Sequence, residues 1–110
     1  MRHTLRVAVD LFEVVVEPHR RRILDVLREG DRSVSDLVDL LDIAQPTVSK
    51  HLKALRDAGL VVVRPQAQRR WYQLRPEPLR ELDAWIEPYR TAWAGRLDVL
   101  ARHLDRTEEG

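Results

Sequence analysis

Residues 33–58 hold two short stretches of helical apolar spacing with almost no chain left between them for a connection. Leu37, Val38 and Leu41 give the first stretch its apolar face. Val48, Leu52 and Leu55 do the same for the second, falling within a narrow sector at ~100° per residue. The pattern predicts two helices joined by a tight turn. Opposite the apolar sector of the second helix lie Lys50, Lys53 and Asp57, flanked by Thr47 and Ser49. A helix divided in this way suits a domain core on one side and a DNA groove on the other.

The rest of the chain is read around this unit. Leu5 to Val16 predicts a first helix, although Val14-Val15-Val16 has poor helix propensity. Pro18 marks a break and fits the first turn of a second helix from about His19 to Glu29, with Ile23, Leu24 and Leu27 at helical spacing and Gly30 as its stop. Ser33 with Asp36 can form a capping box, while Ser35 is an alternative N-cap for the third helix. The fourth helix spans about Gln45 to Ala58. Pro46 is tolerated because first-turn amides have no helical partner to lose, and Gly59 is a fitting end. Leu60–Arg64 and Arg69–Leu74 alternate and are rich in β-branched and aromatic residues, which predicts a hairpin with Pro65-Gln66-Ala67-Gln68 at its tip. From about Pro78 a long closing helix follows. Its apolar residues Leu82, Ile86, Tyr89, Trp93, Leu97, Leu100 and Leu104 are spaced 4, 3, 4, 4, 3 and 4, and Trp85 widens the stripe. So long a stripe exceeds what a small domain can cover alone, and a helix–helix contact between two copies is the economical explanation.

Charge singles out the same region. Residues 1–44 carry seven Arg against nine acids, and residues 76–110 five Arg against eight acids. Residues 45–75 carry seven Lys and Arg (Lys50, Lys53, Arg56, Arg64, Arg69, Arg70, Arg75) against Asp57 alone. A net charge of +1 therefore hides a basic segment between two acidic ones, the signature of a localised polyanion contact. The 110 residues suit one domain with a modest core, and the absence of cysteine excludes disulfides and thiolate metal sites. Val7–Val16 is interrupted by Asp10 and Glu13 and precedes no small-residue cleavage site. It is read as neither a signal peptide nor a membrane span, so a cytoplasmic protein without membrane contact is expected. No Gly-rich phosphate loop, nucleophile motif or purposeful carboxylate pair is present, and an enzyme is not expected.

Helices, then helix-turn-helix, then hairpin, then closing helix is the winged-helix order. Glu17-Pro18-His19-Arg20-Arg21-Arg22-Ile23-Leu24, Gln45-Pro46-Thr47-Val48-Ser49-Lys50-His51-Leu52, Leu55-Arg56-Asp57-Ala58-Gly59-Leu60-Val61 and Arg69-Arg70-Trp71-Tyr72-Gln73-Leu74 strongly resemble the ArsR-type bacterial transcriptional repressors, over about residues 10 to 104. The tail from Leu82-Asp83-Ala84-Trp85-Ile86-Glu87-Pro88-Tyr89-Arg90 to Trp93 resembles a branch that lacks the metal ligands and often regulates its own operon. The resemblance implies a mainly α fold with a small β-hairpin wing, forming a homodimer that binds a palindromic double-stranded DNA operator in the bacterial nucleoid and blocks transcription. Two features depart from it. Ala44 stands where the family often has a capping Ser or Thr, which weakens that helix end by ~1 kcal/mol. Gln66-Ala67-Gln68 lacks the glycine common at the wing tip.

On this reading residues 1–110 form one winged-helix domain, with helix-turn-helix 33–58, wing 60–75, and dimerisation helices at about 5–16 and 78–104. Gln45, Pro46, Thr47, Ser49 and Lys50 are the recognition-helix candidates. Gln reads adenine, Lys donates to guanine, and a Thr methyl touches thymine. Ser49 and Lys53 suit phosphate, Arg56 the backbone, and Arg69 or Arg70 a narrow minor groove. Leu5, Leu82, Ile86, Tyr89, Trp93, Leu97 and Leu100 are the dimer-interface candidates. Arg20, Arg21 and Arg22 can touch phosphate or salt-bridge to Glu17, Asp25 and the partner subunit; a structural role is expected for most of them, with a local acid offsetting their charge at the helix start. His51 is read as a packing or phosphate-contacting residue, and His3, His19 and His103 as scattered. No metal and no other cofactor is expected, since the closing helix offers Asp83 and Glu87 with only a distant His103. The alternatives are a repressor induced by a metal or small molecule at an interface lined by Trp85, Tyr89 and Trp93, and a winged helix used only for protein–protein contact.

Overall fold

The computed structural model describes residues 2–109, with side chains for residues 6–106. Five helices and one hairpin follow in the order α1 (Arg2–Val16), α2 (Pro18–Glu29), α3 (Val34–Leu41), α4 (Gln45–Asp57), β1 (Val61–Gln66), β2 (Arg69–Leu74) and α5 (Leu79–Glu109). The architecture is the mainly α winged helix-turn-helix that the sequence predicts. Beyond shifts of one residue, element boundaries move in three places: α1 begins at Arg2, α5 runs on to Glu109, and β1 continues through Pro65 and Gln66.

Local chemistry accounts for most boundaries. Pro18 opens α2, and the Glu17 carboxylate accepts the Arg20 amide at 2.9 Å. That carboxylate is the acid needed to offset three arginines at a helix start. Ser33, not Ser35, caps α3 through a full capping box: Ser33 Oγ accepts the Asp36 amide and Asp36 Oδ2 accepts the Ser33 amide, both at 3.1 Å. Helix α4 has Ala44 as its N-cap, with no side-chain capping bond. It ends in a Schellman arrangement, with Leu60 N–H donating to Leu55 O at 3.0 Å and Gly59 N–H to Arg56 O at 2.9 Å. Gly59 sits at φ +77°, where any side chain would be strained.

Antiparallel pairing of Val61 with Leu74 through Gln66 with Arg69 leaves only Ala67 and Gln68 in the turn. The predicted four-residue tip is thus two residues shorter, because Pro65 and Gln66 pair with β2. A two-residue hairpin turn needs φ above zero, and Ala67 adopts it at 56° where glycine would be at ease.

Leu11, Ile23, Leu27, Leu37, Leu41, Val48, Leu52, Leu55, Leu60, Val61 and Tyr72 form the core. A two-way bond between Arg32 and Tyr72 backbones (3.1 and 2.8 Å) ties the loop before α3 to the wing strand. This rung, which no local pattern announces, fixes the wing against the helix-turn-helix. The molecule is elongated, 68 × 36 × 21 Å with a radius of gyration of 19.1 Å, against ~13 Å for a compact chain of this length. Helix α5 is the cause: its 31 residues span ~46 Å. Pro88 lies inside it and removes one rung of its ladder. Arg90 braces that stretch by donating to Asp83 Oδ1 (2.7 Å) and to Glu87.

Candidate nucleic-acid interface

Helix α4 is divided as its spacing predicts. Val48, His51, Leu52 and Leu55 are buried, while Gln45, Pro46, Ser49, Lys50, Lys53 and Arg56 are exposed and Thr47 is half-buried. Lys53 meets Asp57 at 3.1 Å, but both side chains are largely in water. Such a pair is worth a few tenths of a kcal/mol and yields easily to a phosphate.

The wing supplies a second set of cations. Tyr72 points to the core, so by alternation Arg70 shares its face and Arg69 the outer one, with Trp71 and Gln73. Both arginines are exposed next to the tip. Directly opposite Trp71 stands Arg64, which places it on the outer face with Arg69. The sequence counted Arg64 in the basic segment without giving it a role. The register, which places it beside Arg69, comes from the two-residue turn.

Apolar candidates divide differently. Leu82 and Ile86 are half-buried where α5 crosses α1, whereas Tyr89, Trp93, Leu97 and Leu100 are exposed. The Leu5 side chain lies outside the described residues. Val9, Phe12 and Val16 of α1 are exposed too, and an apolar cleft lined by Ala8, Val9, Phe12 and Trp85 joins the two helices. A single chain rarely leaves so extended an apolar surface uncovered.

Two of the three α2 arginines, Arg20 and Arg22, make structural side-chain contacts, and Arg21 is exposed. Arg20 Nε donates to His51 Nδ1 at 3.2 Å and its Nη1 to Val14 O at 3.5 Å, while Arg22 reaches Leu41 O at 3.0 Å. His51 is a packing residue, 7% exposed. Burial lowers its pKa below the usual imidazole value; Glu17 opposes this, and Arg20, His19 and Lys50 add to it. Burial pulls the Glu17 carboxyl upward, but the Arg20 amide, the His19 hydrogen bond and the two imidazoles together hold it below the ordinary carboxylate value. His19 is not scattered: its ring stacks on His51 at 5.4 Å, and its Nδ1 meets Glu17 Oε1 at 3.1 Å. Sequence spacing could not reveal this group, because residues 32 positions apart meet only when α2 packs on α4. On α5, Asp83 and Glu87 are both engaged by Arg90.

The chain is similar to known proteins over the same elements. The family described as "Bacterial regulatory protein, arsR family" matches residues 17–63, from the α2 cap through α4 into β1. The HTH-type transcriptional regulator Rv2034 of Mycobacterium tuberculosis is 34% identical over 94 residues, covering 86% of this chain and 85% of that protein. An arsenical resistance operon repressor of Staphylococcus xylosus is 33% identical over 85 residues, covering 77% and 82%. Among solved structures, a possible transcriptional regulator for arsenical resistance superposes with a TM-score of 0.67 at 35% identity, covering 84% of this chain and 93% of that one.

Proposed function

The chain belongs to the arsR family of bacterial regulatory proteins, whose members bind DNA and repress transcription, and from that premise we propose that it acts as a homodimer on a palindromic operator, its own promoter included. The observation that carries this reading is the placement of charge. The exposed face of α4 and the tip of the wing hold Lys50, Lys53, Arg56, Arg69 and Arg70 in the one basic segment of an otherwise acidic chain.

Each residue has a role that its position suits. Gln45, Thr47 and Lys50 read base edges from the first turns of α4, and Pro46 holds that turn while touching the groove wall. Ser49, Lys53 and Arg56 meet phosphates. Arg69 or Arg70 enters the minor groove beside the half-site. Dimerisation through Leu5, Leu82, Ile86, Tyr89, Trp93, Leu97 and Leu100 sets two α4 helices ~34 Å apart, one turn of DNA. Bound there, the dimer occludes polymerase. Operator binding without a metal is part of this reading; on the closing helix, Asp83 and Glu87 are both paired with Arg90.

The test is a footprint of the purified protein on its own upstream DNA, with and without EDTA, followed by genome-wide selection of bound fragments. Protection of an imperfect palindrome that survives EDTA is expected. With six to ten phosphates contacted, affinity falls ~10³–10⁵-fold between 50 and 200 mM salt. Protection lost in EDTA would overturn the metal-independent reading. Failure to select any DNA would overturn the operator reading as a whole and favour a protein-interaction module.

A further inference from the structure

The group at the α2–α4 junction stands apart from the side chains assigned to DNA contact. Glu17, His19 and His51 each offer a ligand atom, all within 4.8 Å of one another. His19 Nδ1 lies 3.1 Å from Glu17 Oε1, and His51 Nδ1 lies 3.7 Å from Glu17 Oε2. Tetrahedral zinc, with bonds of ~2.0–2.1 Å, separates its ligand atoms by ~3.3 Å. The two measured distances, one to each oxygen of the Glu17 carboxylate, bracket that value. Two imidazoles and a carboxylate are also a donor set that suits zinc and its first-row neighbours.

We propose that Glu17, His19 and His51 form a binding site for a divalent ion of the zinc type, bridging the start of α2 to the recognition helix, with water as the fourth ligand. The parts are pre-positioned. Glu17 is fixed as the N-cap of α2 by the Arg20 amide, and His51 is held in the core side of α4. The stacked imidazoles differ by only 21° in plane, and the His19 side chain is 42% exposed, leaving solvent access for an ion. At present a cation of the protein itself serves His51: Arg20 Nε donates to the same Nδ1 at 3.2 Å. Coordination at that nitrogen displaces the guanidinium, and the His19 Nδ1 proton moves to Nε2. The carboxylate and the neutral His51 lone pair need no further change. None of the three ligands lies on α5, although Arg20 also donates to Val14 O of α1, and the operator reading does not depend on the site.

The experiment uses the full chain, stripped with EDTA and desalted, titrated with Co2+ and then with Zn2+. One Co2+ per chain is expected, with the visible absorption of a four-coordinate N/O site, displaced by Zn2+. His19→Gln, at a partly solvated position that leaves the core intact, should weaken binding ~10–100-fold or more. Arg20→Gln should strengthen it by removing the competing donor, and His103→Gln should leave it unchanged. Absence of saturable Co2+ binding would overturn the proposal. So would binding that His19→Gln leaves intact, or that His103→Gln abolishes. Circular dichroism of each variant separates loss of ligand from loss of fold.

Discussion

Trp93 tests whether the apolar stripe of α5 joins two copies. Its side chain is 63% exposed and lies outside the core cluster. An aromatic of this size presents ~200 Å², so ~125 Å² faces water in the single chain. At ~25 cal/mol per Å², covering all of it contributes ~3 kcal/mol. If a partner covers half, each copy contributes ~1.5 kcal/mol, and a two-fold interface counts that twice, ~3 kcal/mol in all. Trp93→Ala should therefore raise the dimer dissociation constant ~10²-fold. Sedimentation equilibrium across a concentration series measures this directly, with circular dichroism confirming that the protomer stays folded. Operator affinity should fall in parallel, since a monomer reaches only one half-site. An unchanged dissociation constant in Trp93→Ala, repeated in Leu97→Asp, would refute the reasoning and move the dimer contact to another face.

Charge reversal at the proposed DNA face, Lys50→Glu or Arg70→Glu, should abolish operator retention in a gel shift while altering stability by no more than ~0.5 kcal/mol. The neutral variant Lys50→Ala, followed by filter binding against salt, should lower the log–log slope by ~1 if the contact is to phosphate and leave it unchanged if Lys50 reads a base. The helix ends give opposite outcomes: Ser33→Ala should cost ~1 kcal/mol in urea unfolding through loss of the α3 capping box, whereas Ala44→Ser should add a comparable amount at α4. Stability should fall as acid is added, in two stages. Below ~6.5 the unfolded chain takes up a proton that buried His51 resists, and below ~4.3 it takes up one that Glu17, held ionised by its hydrogen bonds, resists. Both folded pKa values are lowered, so both contributions are complete at neutral pH. Urea midpoints that stay flat between pH ~7.5 and ~5.5 would contradict the His51 part.

Much of the molecule is legible in one dimension. Helices α2, α3 and α4 follow from apolar residues three and four apart, bounded by Pro18, Ser33 and Gly59, whose backbone and capping preferences act within a few residues. The exposed face of α4 follows from the same periodicity, since burying Val48, Leu52 and Leu55 sends Lys50 and Lys53 to the other side. Where the chemistry was local but ambiguous the sequence reading fell short. Ser33 and Ser35 compete for one cap, and the true two-residue hairpin turn is masked because proline argues against a paired strand while pairing across the ladder favours it.

Composition and periodicity alone determined that this chain makes a helix-turn-helix with a wing and concentrates positive charge there, because those traits arise from interactions between near neighbours. Only the folded chain decided what lies far apart in sequence yet close in space. Arg32 holds the wing strand through Tyr72, Arg64 joins Arg69 on the wing's outer face, and Glu17 and His19 meet His51 between two helices. Such contacts depend on how elements pack and in what register. Side-chain spacing along one element carries no record of either.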